Sequence, residues 1–246
     1  MTDDTRSWLT FDCYDTLLRY TEGKAETLTA IIRAKGGDDA AVERARSAFE
    51  ASEKELQLGP FVILSEVLRL SLHEGLSAAG FVPTGEDENT LIDAVKRAAP
   101  FPDVRPVLTD LKRDHRLAIL SNSESAIIHS NVAAIGVEFD AVVLAVEAKC
   151  YKPDPGMFHE LLKRIGEAPE NVTHIAQSFY HDMRTAKDLG FGRRLWINRY
   201  SREGDPAYTP DAELRDLSGV RAALKCRELG IGCDCKDSDS DQGQWA

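Results

Sequence analysis

Short apolar segments alternate with helical segments over the second half of the chain. The apolar segments are typical of β-strands, and the segments between them show helical periodicity or a helix start signal. The predicted strands cover residues 116–121, 141–145, 172–176 and 194–198, and the predicted helices cover 104–112, 125–134, 155–165 and 182–189. This alternation predicts a parallel sheet covered on both faces. With the apolar segment Trp8–Phe11, we predict five strands.

A long helical block separates the first strand from this pattern. Between residues 21 and 98 the apolar residues recur at helical spacing, and no segment resembles a strand. They mark four helices: Leu28, Ile31 and Ile32; Val42, Ala45, Phe49 and Leu56; Leu64, Val67, Leu68, Leu70 and Leu72; and Leu91, Ile92 and Val95. The block is too long for an ordinary crossover connection. We therefore predict an α/β protein with a Rossmann-like, doubly wound core (1–18 and 99–225) and an inserted helical cap (19–98).

The acidic composition limits the partners that we expect. The 246 residues carry a formal net charge of −11, whereas nucleic-acid binders usually present a basic face. No run reaches the ~18 apolar residues of a membrane helix, and residues 1–6 are polar, unlike a signal peptide. We expect a cytoplasmic protein with reduced cysteines and with neither a nucleic-acid nor a membrane partner.

The C-terminal segment has a different composition. Residues 236–244 are polar and acidic, which is typical of disorder, and we predict a disordered tail over 226–246. Cys233 and Cys235 are too close together for an ordinary zinc pair, and no histidine follows them. We expect no metal there and assign these cysteines no role.

Polar or charged residues follow each predicted strand. Asp12 comes directly after the first strand, with Tyr14 and Thr16 just beyond it. The later strands are followed by Ser121 and Asn122, by Lys152, and by Gln177, Ser178 and Asp182. Right-handed crossovers bring the carboxyl ends of parallel strands to one edge, so these side chains should share one crevice. A carboxylate beside a buried strand needs partners, so Asp12 is either catalytic or the cap of the following turn.

Four of these segments together resemble the motifs of the haloacid dehalogenase superfamily of aspartate-nucleophile hydrolases. They are residues 11–17 (FDCYDTL), 120–122 (LSN), 151–155 (YKPDP) and the segment from Asp182 to 196–199 (WINR). They occur in that superfamily's order and cover residues 8–225. The resemblance implies that Asp12 is a nucleophile and that the helical insertion is the family's cap domain.

Two positions differ from the magnesium phosphatases that make up most of this superfamily. Those enzymes have an aspartate two residues after the nucleophile, as the acid for the leaving alcohol, where this chain has Tyr14. Their fourth motif has a further metal-binding acid, where this chain has Gln177. Because Mg²⁺ prefers several anionic oxygens, we expect neither a metal nor another cofactor.

Tyrosine after the nucleophile is similar to the L-2-haloacid dehalogenase subfamily. In those enzymes a carboxylate displaces halide from carbon, and water hydrolyses the resulting ester. The resemblance implies that Asp12 is the nucleophile, that Lys152 neutralises and orients it, and that Thr16 hydrogen-bonds near it. It further implies that Asp182 positions or deprotonates water, and that the substrate or water is bound by Tyr14, Ser121, Asn122, Gln177 and Ser178. The expected substrates are small-molecule carboxylates of the 2-haloalkanoic acid class.

This chain differs from the subfamily in three respects, so the sequence does not identify the leaving group. The dehalogenases have an asparagine where this chain has Phe179 and a tyrosine where it has Phe158. Their cap arginine, which receives the halide, has Arg19 and Lys54 as candidate counterparts. The same nucleophile has two alternative reactions: displacement of fluoride, and ring-opening of a cyclic 2-carboxylate at a C–N bond. A magnesium phosphatase and a non-catalytic binding module are the alternatives from other classes.

The third predicted helix bears on the oligomeric state. Its apolar residues are more numerous than burial of one face requires. This suggests a homodimer contact, as in related dehalogenases, although burial within the cap explains the pattern nearly as well.

Overall fold

A parallel sheet lies at the centre of the computed structural model, which describes residues 5–228 and their side chains as far as residue 225. Its strands are β1 (Trp8–Phe11), β2 (Arg116–Ser121), β3 (Ala141–Leu144), β4 (Val172–Ala176), β5 (Arg193–Ile197) and β6 (Ala212–Leu214). Within the described residues the sheet has six strands in the order β3-β2-β1-β4-β5-β6. The direction of winding reverses between β1 and β4, and the carboxyl ends of strands at such a point form a binding crevice.

Four helices after β1 form what we call the helical insert. They are α1 (Tyr20–Ala34), α2 (Asp39–Leu58), α3 (Leu64–Ala78) and α4 (Gly85–Lys96). Asp38 begins α2 by accepting a hydrogen bond from the Ala41 N–H group. Helices α2 and α3 approach closely, because a Cβ atom on Gly75 would lie 2.8 Å from the Ala45 carbonyl oxygen. The insert has a hydrophobic cluster of its own, which includes Leu28, Ile32, Phe49, Leu68, Leu72 and Leu91.

The remaining helices connect the strands and cover the sheet. They are α5 (Val104–Leu111), α6 (Ser125–Ile135), α7 (Ala145–Ala148), α8 (Pro155–Ile165), α9 (Arg184–Asp188) and α10 (Val220–Glu228). All four residues of β1 are buried, as expected for a strand covered on both faces. The predicted α/β fold with a doubly wound parallel sheet is therefore confirmed. The residue bounds proposed for the core and the cap stay a prediction.

Two local elements differ from the sequence-based prediction. The prediction of five strands misses β6, because its three residues are too few to show a strand pattern and only Leu214 among them is buried. The helix predicted from Asp182 instead begins as a π-helical turn, Phe179–Met183, which continues into α9. The Ser178 hydroxyl caps this turn by accepting a hydrogen bond from the His181 N–H group at 3.1 Å. Asp182 thus lies within the turn rather than at the start of an α-helix.

Packing inside the chain accounts for most of the apolar residues of α3. Of the five residues that suggested a dimer contact, Leu64, Val67, Leu68 and Leu72 are buried, and Leu70 is 39% exposed. The homodimer stays a prediction.

No helix in the range 5–228 has the length and apolar character needed to cross a membrane. The predicted disordered tail, with Cys233 and Cys235, lies outside the described residues, except that the backbone of 226–228 forms the last turn of α10.

Candidate active site

Asp12 lies in the turn after β1, at the reversal point of the sheet. Its backbone N–H group donates to the Ile175 carbonyl oxygen at 3.1 Å, which fixes the turn against β4. The Thr16 hydroxyl donates to Asp12 Oδ2 at 2.5 Å. The same hydroxyl accepts a hydrogen bond from the Gln177 N–H group at 2.8 Å. Thr16 thus ties one oxygen of the Asp12 carboxylate to the end of β4.

Asp15 stabilises the other half of this turn. Its φ of 61° lies in the left-handed region, which non-glycine residues rarely adopt. The Asp15 carboxylate accepts hydrogen bonds from the Thr21 N–H group at 3.0 Å and from the Tyr200 hydroxyl at 3.2 Å. These contacts hold a backbone conformation that costs free energy by itself and join the turn to the start of α1.

Arg199 supports the turn from the core. Its guanidinium group donates to the Thr16 carbonyl oxygen at 2.9 Å and lies 2.8 Å from Asp103 Oδ2. Burial alone would raise the pKa of the Asp103 carboxyl. The hydrogen bonds from Arg199 and from the Leu217 N–H group outweigh burial and lower this pKa.

Lys152 joins the two predicted catalytic carboxylates. Its Nζ atom lies 2.8 Å from Asp12 Oδ1, 2.8 Å from Asp182 Oδ1 and 3.1 Å from the Leu120 carbonyl oxygen. The lysine is 2% exposed. Such burial would lower the pKa of an isolated lysine, but the two carboxylates raise the pKa of Lys152 overall. The ammonium group therefore stays charged and forms an ion pair with each carboxylate.

Asn122 holds the backbone of Lys152. Its Oδ1 atom accepts a hydrogen bond from the Lys152 N–H group at 2.7 Å, and its Nδ2 group donates to the Lys152 carbonyl oxygen at 3.1 Å. The neighbouring Ser121 hydroxyl is buried without a hydrogen-bond partner among the described residues, and Ser121 does not line the cavity described below. The substrate-binding roles of both residues stay predictions.

The Asp182 carboxylate is fully buried and held by two donors on one oxygen. Oδ1 accepts hydrogen bonds from Lys152 and, at 2.9 Å, from His174 Nε2. Oδ2 has no hydrogen-bond partner within the described part of the chain. Burial alone would raise the pKa of Asp182, but the Lys152 charge and the His174 hydrogen bond lower it below its usual value.

The pKa values of Asp12 and Asp182 are therefore shifted in opposite directions. Burial raises the pKa of Asp12, and the charge on Lys152 only partly opposes this effect. Asp182 keeps its negative charge to lower pH than Asp12 does. Neighbouring carboxylates with divergent pKa values are a common basis for separate catalytic roles.

A cavity of about 410 Å³ opens beside these groups. The predicted site residues that line it are Asp12, Tyr14, Asn122, Lys152, Gln177, Ser178 and Asp182. The helical insert contributes Tyr20, Thr21, Lys24, Glu53, Gln57 and Leu64. Thr16 contacts Asp12 from outside this lining. The structure thus brings the predicted site together, with Ser121 as the exception.

The cation on the insert side of the cavity is one that the sequence analysis missed. Lys24 Nζ lies 2.7 Å and 2.5 Å from the two carboxylate oxygens of Glu53, and both side chains are largely buried. Neither candidate for the cap cation, Arg19 or Lys54, lines the cavity. Lys24 lies one helical turn after Tyr20, so the two side chains lie on the same face of α1. This spacing is the signal by which the sequence could have placed Lys24 beside Tyr20.

Tyr14 forms part of the wall between the core and the insert. Its hydroxyl lies 2.8 Å from Ser123 Oγ and donates to Asn131 Oδ1 at 3.2 Å. Its ring stacks on Tyr20, with 4.1 Å between the ring centroids. Burial raises the pKa of Tyr14 far above its ordinary value, so the hydroxyl stays protonated.

The end of β4 supplies the last part of the cavity. The Gln177 carbonyl oxygen accepts a hydrogen bond from Trp196 Nε1 at 2.8 Å. Ser178 Oγ lies 2.8 Å from His181 Nδ1, and burial lowers the pKa of His181, which favours the neutral imidazole. Phe179 lies where the dehalogenases have asparagine, and its ring packs edge-on against Trp196.

These residues do not fit a magnesium site. Mg²⁺ prefers several anionic oxygens in octahedral geometry, but one oxygen of Asp12 and one of Asp182 are already paired with the Lys152 ammonium group, and Gln177 is uncharged. No group of three or more His, Cys, Asp or Glu side chains within residues 5–225 is placed to hold a metal ion.

The sequence matches known hydrolases along much of its length. A protein-family model described as "Hydrolase: haloacid dehalogenase-like hydrolase" matches residues 7–190. Haloacetate dehalogenase H-2 of Moraxella sp. (strain B) is 35% identical over 125 residues, which cover 49% of this chain and 55% of that protein. Phosphoserine phosphatase of Thermus thermophilus is 29% identical over 154 residues, which cover 60% of this chain and 61% of that protein. The matched stretches therefore span less than two thirds of these relatives.

Structural similarity to known proteins covers more of this chain than the sequence similarity to those two relatives does. The L-2-haloacid dehalogenase from Xanthobacter autotrophicus, in a structure with chloropropionic acid covalently bound, has a TM-score of 0.75 and 21% identity to this chain. The likeness covers 90% of this chain and 99% of that one. At this level of identity it shows the fold alone.

Proposed function

Because the chain belongs to the haloacid dehalogenase-like hydrolase family, we propose that it hydrolyses small 2-haloalkanoic acids to 2-hydroxy acids with Asp12 as the nucleophile and without a metal ion. The family membership confirms the resemblance found in the sequence motifs. The names of relatives such as haloacetate dehalogenase H-2 support a carbon–halogen bond as the target. The observation that carries the proposal is the position of Lys152 between Asp12 and Asp182.

In the first step, an oxygen of the Asp12 carboxylate attacks C2 of the substrate in line with the carbon–halogen bond. That bond breaks, and the halide leaves with its electron pair, so no acid is needed. Thr16 and Lys152 hold one oxygen each of the attacking carboxylate, which restricts its rotation and favours the attacking geometry. The product of this step is an ester between Asp12 and the 2-position of the acid.

In the second step, water attacks the ester carbonyl carbon of Asp12. Asp182 accepts a proton from this water and returns it to the ester oxygen as the bond between that oxygen and the Asp12 carbonyl carbon breaks, so the product leaves as a 2-hydroxy acid. Asp12 is regenerated as a carboxylate, and the second proton of the water passes to solvent. The lowered pKa of Asp182 keeps it ionised for this role at neutral pH.

Phosphoester hydrolysis is less consistent with this site. A leaving alcohol needs a proton donor, and Tyr14, which occupies the acid position, has a raised pKa and a hydroxyl turned toward Ser123 and Asn131. The donor set does not fit Mg²⁺, as described above. The match to a phosphoserine phosphatase nevertheless makes phosphoesters the necessary comparison substrates.

Ring-opening of a cyclic 2-carboxylate at its C–N bond is the second candidate, and the pair of Lys24 with Glu53 favours it. On the insert side of the cavity, a leaving halide would meet Lys24, a cation that Glu53 already neutralises. A leaving amine needs a proton, which the ammonium group of Lys24 can donate across the cavity. The nucleophilic step at C2 is the same in both reactions.

A turnover screen in the presence of EDTA tests the proposal. We expect halide release from 2-chloropropanoate and no phosphate release from p-nitrophenyl phosphate. Asp12→Asn should abolish halide release, while Glu203→Gln, which changes another carboxylate of the cavity lining, should retain it. Turnover of the phosphoester alone, lost on addition of EDTA, would contradict the proposal.

A further inference from the structure

We propose that His174 is a positioning residue for hydrolysis of the Asp12 ester, because it holds Oδ1 of Asp182 and so fixes the orientation of that carboxylate. This inference rests on the proposed function and assigns a role to a residue outside the motifs of the sequence analysis. His174 is fully buried in β4 and contacts Asp182 but is not part of the cavity lining.

The hydrogen bonds of the imidazole ring fix its orientation. Nδ1 lies 2.8 Å from Thr10 Oγ1, on the adjacent strand β1, and Nε2 lies 2.9 Å from Asp182 Oδ1. Thr10 and His174 are paired in the register of the two strands. An ionised carboxylate only accepts hydrogen bonds, so Nε2 carries the proton, whichever partner is the donor between Thr10 and Nδ1. His174 therefore acts as a fixed donor to Asp182.

Packing alone does not account for a histidine at this position. The ring lies among apolar neighbours, with the Phe158 and Phe191 rings edge-on at 5.4 Å and 5.9 Å between centroids. An apolar side chain would suit these neighbours without the cost of burying polar nitrogens. Both nitrogens instead have partners, and one partner is a carboxylate of the cavity. The contact with Asp182 thus explains the residue better than core packing does.

The contact between His174 and Asp182 matters most after the Asp12 ester has formed. When Asp12 is esterified it loses its negative charge, and Lys152 then has Asp182 as its charged partner. One donor permits the carboxylate to rotate about that hydrogen bond. The second donor, His174, fixes Oδ1 and so the direction of Oδ2. Because His174 does not contact Asp12, we expect it to affect ester hydrolysis and not ester formation.

Burst kinetics with His174→Leu separate the two steps. We expect one equivalent of halide per enzyme at nearly the wild-type rate, followed by turnover about 10- to 100-fold slower, a part of the ~10²–10⁴-fold effect of general-base catalysis. Mass spectrometry should show the Asp12 ester accumulating. His174→Gln, whose amide can still donate to Oδ1, should recover part of the steady-state rate.

Val172→Ala is the matched control, because Val172 is buried two residues earlier on β4 and belongs to the same hydrophobic cluster as Phe158 and Phe191. It should lower the melting temperature without a burst. If His174→Leu does not fold, Thr10→Val removes the partner of Nδ1 at similar volume and should give a smaller burst of the same kind.

Three outcomes would overturn the inference. Wild-type kinetics in His174→Leu, equal slowing of ester formation and hydrolysis, or an equal burst in Val172→Ala would each show that His174 does not position Asp182. Failure of the proposed function has a different signature, which is a wild-type protein that releases no halide and forms no adduct on Asp12.

Discussion

The two walls of the cavity are built differently. On the core wall, Asp12, Lys152 and Asp182 form one hydrogen-bonded group in which a single ammonium serves two carboxylates. On the insert wall, Lys24 and Glu53 form a closed pair, with the Tyr20 hydroxyl 3.3 Å from Glu53. In the proposed mechanism the core wall supplies a nucleophile and a base, whereas the insert wall leaves no unpaired charge between its two ionic residues. We infer that the core wall fixes the reaction and the insert wall selects the substrate and the leaving group.

The largest effect should come from the proposed nucleophile, Asp12, on the core wall. Asp12→Asn keeps the shape of the side chain but removes the attacking carboxylate, so turnover should fall by about 10⁴-fold or more. Initial rates of halide release measure this effect. Activity in this variant within about tenfold of wild type would exclude covalent catalysis by Asp12.

Lys152→Met should produce the next largest effect, because it leaves two buried carboxylates without their cation. The free energy of unfolding should fall by about 3–5 kcal/mol, as for other broken buried ion pairs, and kcat should fall with it. Chemical denaturation and steady-state kinetics measure the two quantities. Stability equal to that of wild type would show that the carboxylates do not depend on this lysine.

The same variant should shift the pH profile. In wild type, burial raises the pKa of Asp12, so activity should decline on acidification at a higher pH than an ordinary aspartate would give. The Lys152 charge opposes that rise, so its removal should raise the pKa further and move the acid limb of kcat/KM to higher pH. A limb that stays in place or moves to lower pH would contradict the assignment of this limb to Asp12.

Changes on the insert wall should alter selectivity rather than the chemistry. Lys24→Met and Glu53→Gln should change the ratio of kcat/KM values between substrates with different leaving groups by about tenfold. Arg19→Met and Lys54→Met are the controls, because these residues lie outside the cavity lining. If the controls change the ratio and the Lys24 and Glu53 variants do not, the insert wall has been assigned incorrectly.

The core wall was predictable from the sequence and the insert wall was not. Asp12, Lys152 and Asp182 follow strands whose parallel arrangement brings their ends together, so local pattern and crossover handedness suffice. Lys24 and Glu53 are 29 positions apart on two helices, and their meeting depends on how α1 packs on α2. His174 lies within a predicted buried strand, so the strand pattern assigned it no role, although a histidine is unusual in such a strand. β2 ends at Ser121 as predicted, but a strand buried on both faces has no alternation that would show on which face the Ser121 hydroxyl lies.

The smallest effect should come from the support behind the core wall. Because the folded-state pKa of Asp103 is lowered, its bond to Arg199 stabilises the fold above the ordinary aspartate pKa and is lost as pH falls through the folded value. Asp103→Asn should therefore lower the free energy of unfolding at pH 7 by about 1 kcal/mol, allowing for solvent screening. The difference from wild type should disappear in strong acid. A constant difference at every pH would contradict the linkage.

Oxygen transfer in a single turnover tests covalent catalysis by Asp12 most directly. The enzyme is placed in excess over 2-chloropropanoate in heavy-oxygen water, and both the product and the peptide that contains Asp12 are weighed by mass spectrometry. Covalent catalysis predicts that the first 2-hydroxy acid carries a light oxygen from Asp12, while the heavy oxygen enters the Asp12 carboxylate. Heavy oxygen in the new hydroxyl of the product, with none in Asp12, would show that water attacks the substrate directly and would contradict covalent catalysis by Asp12.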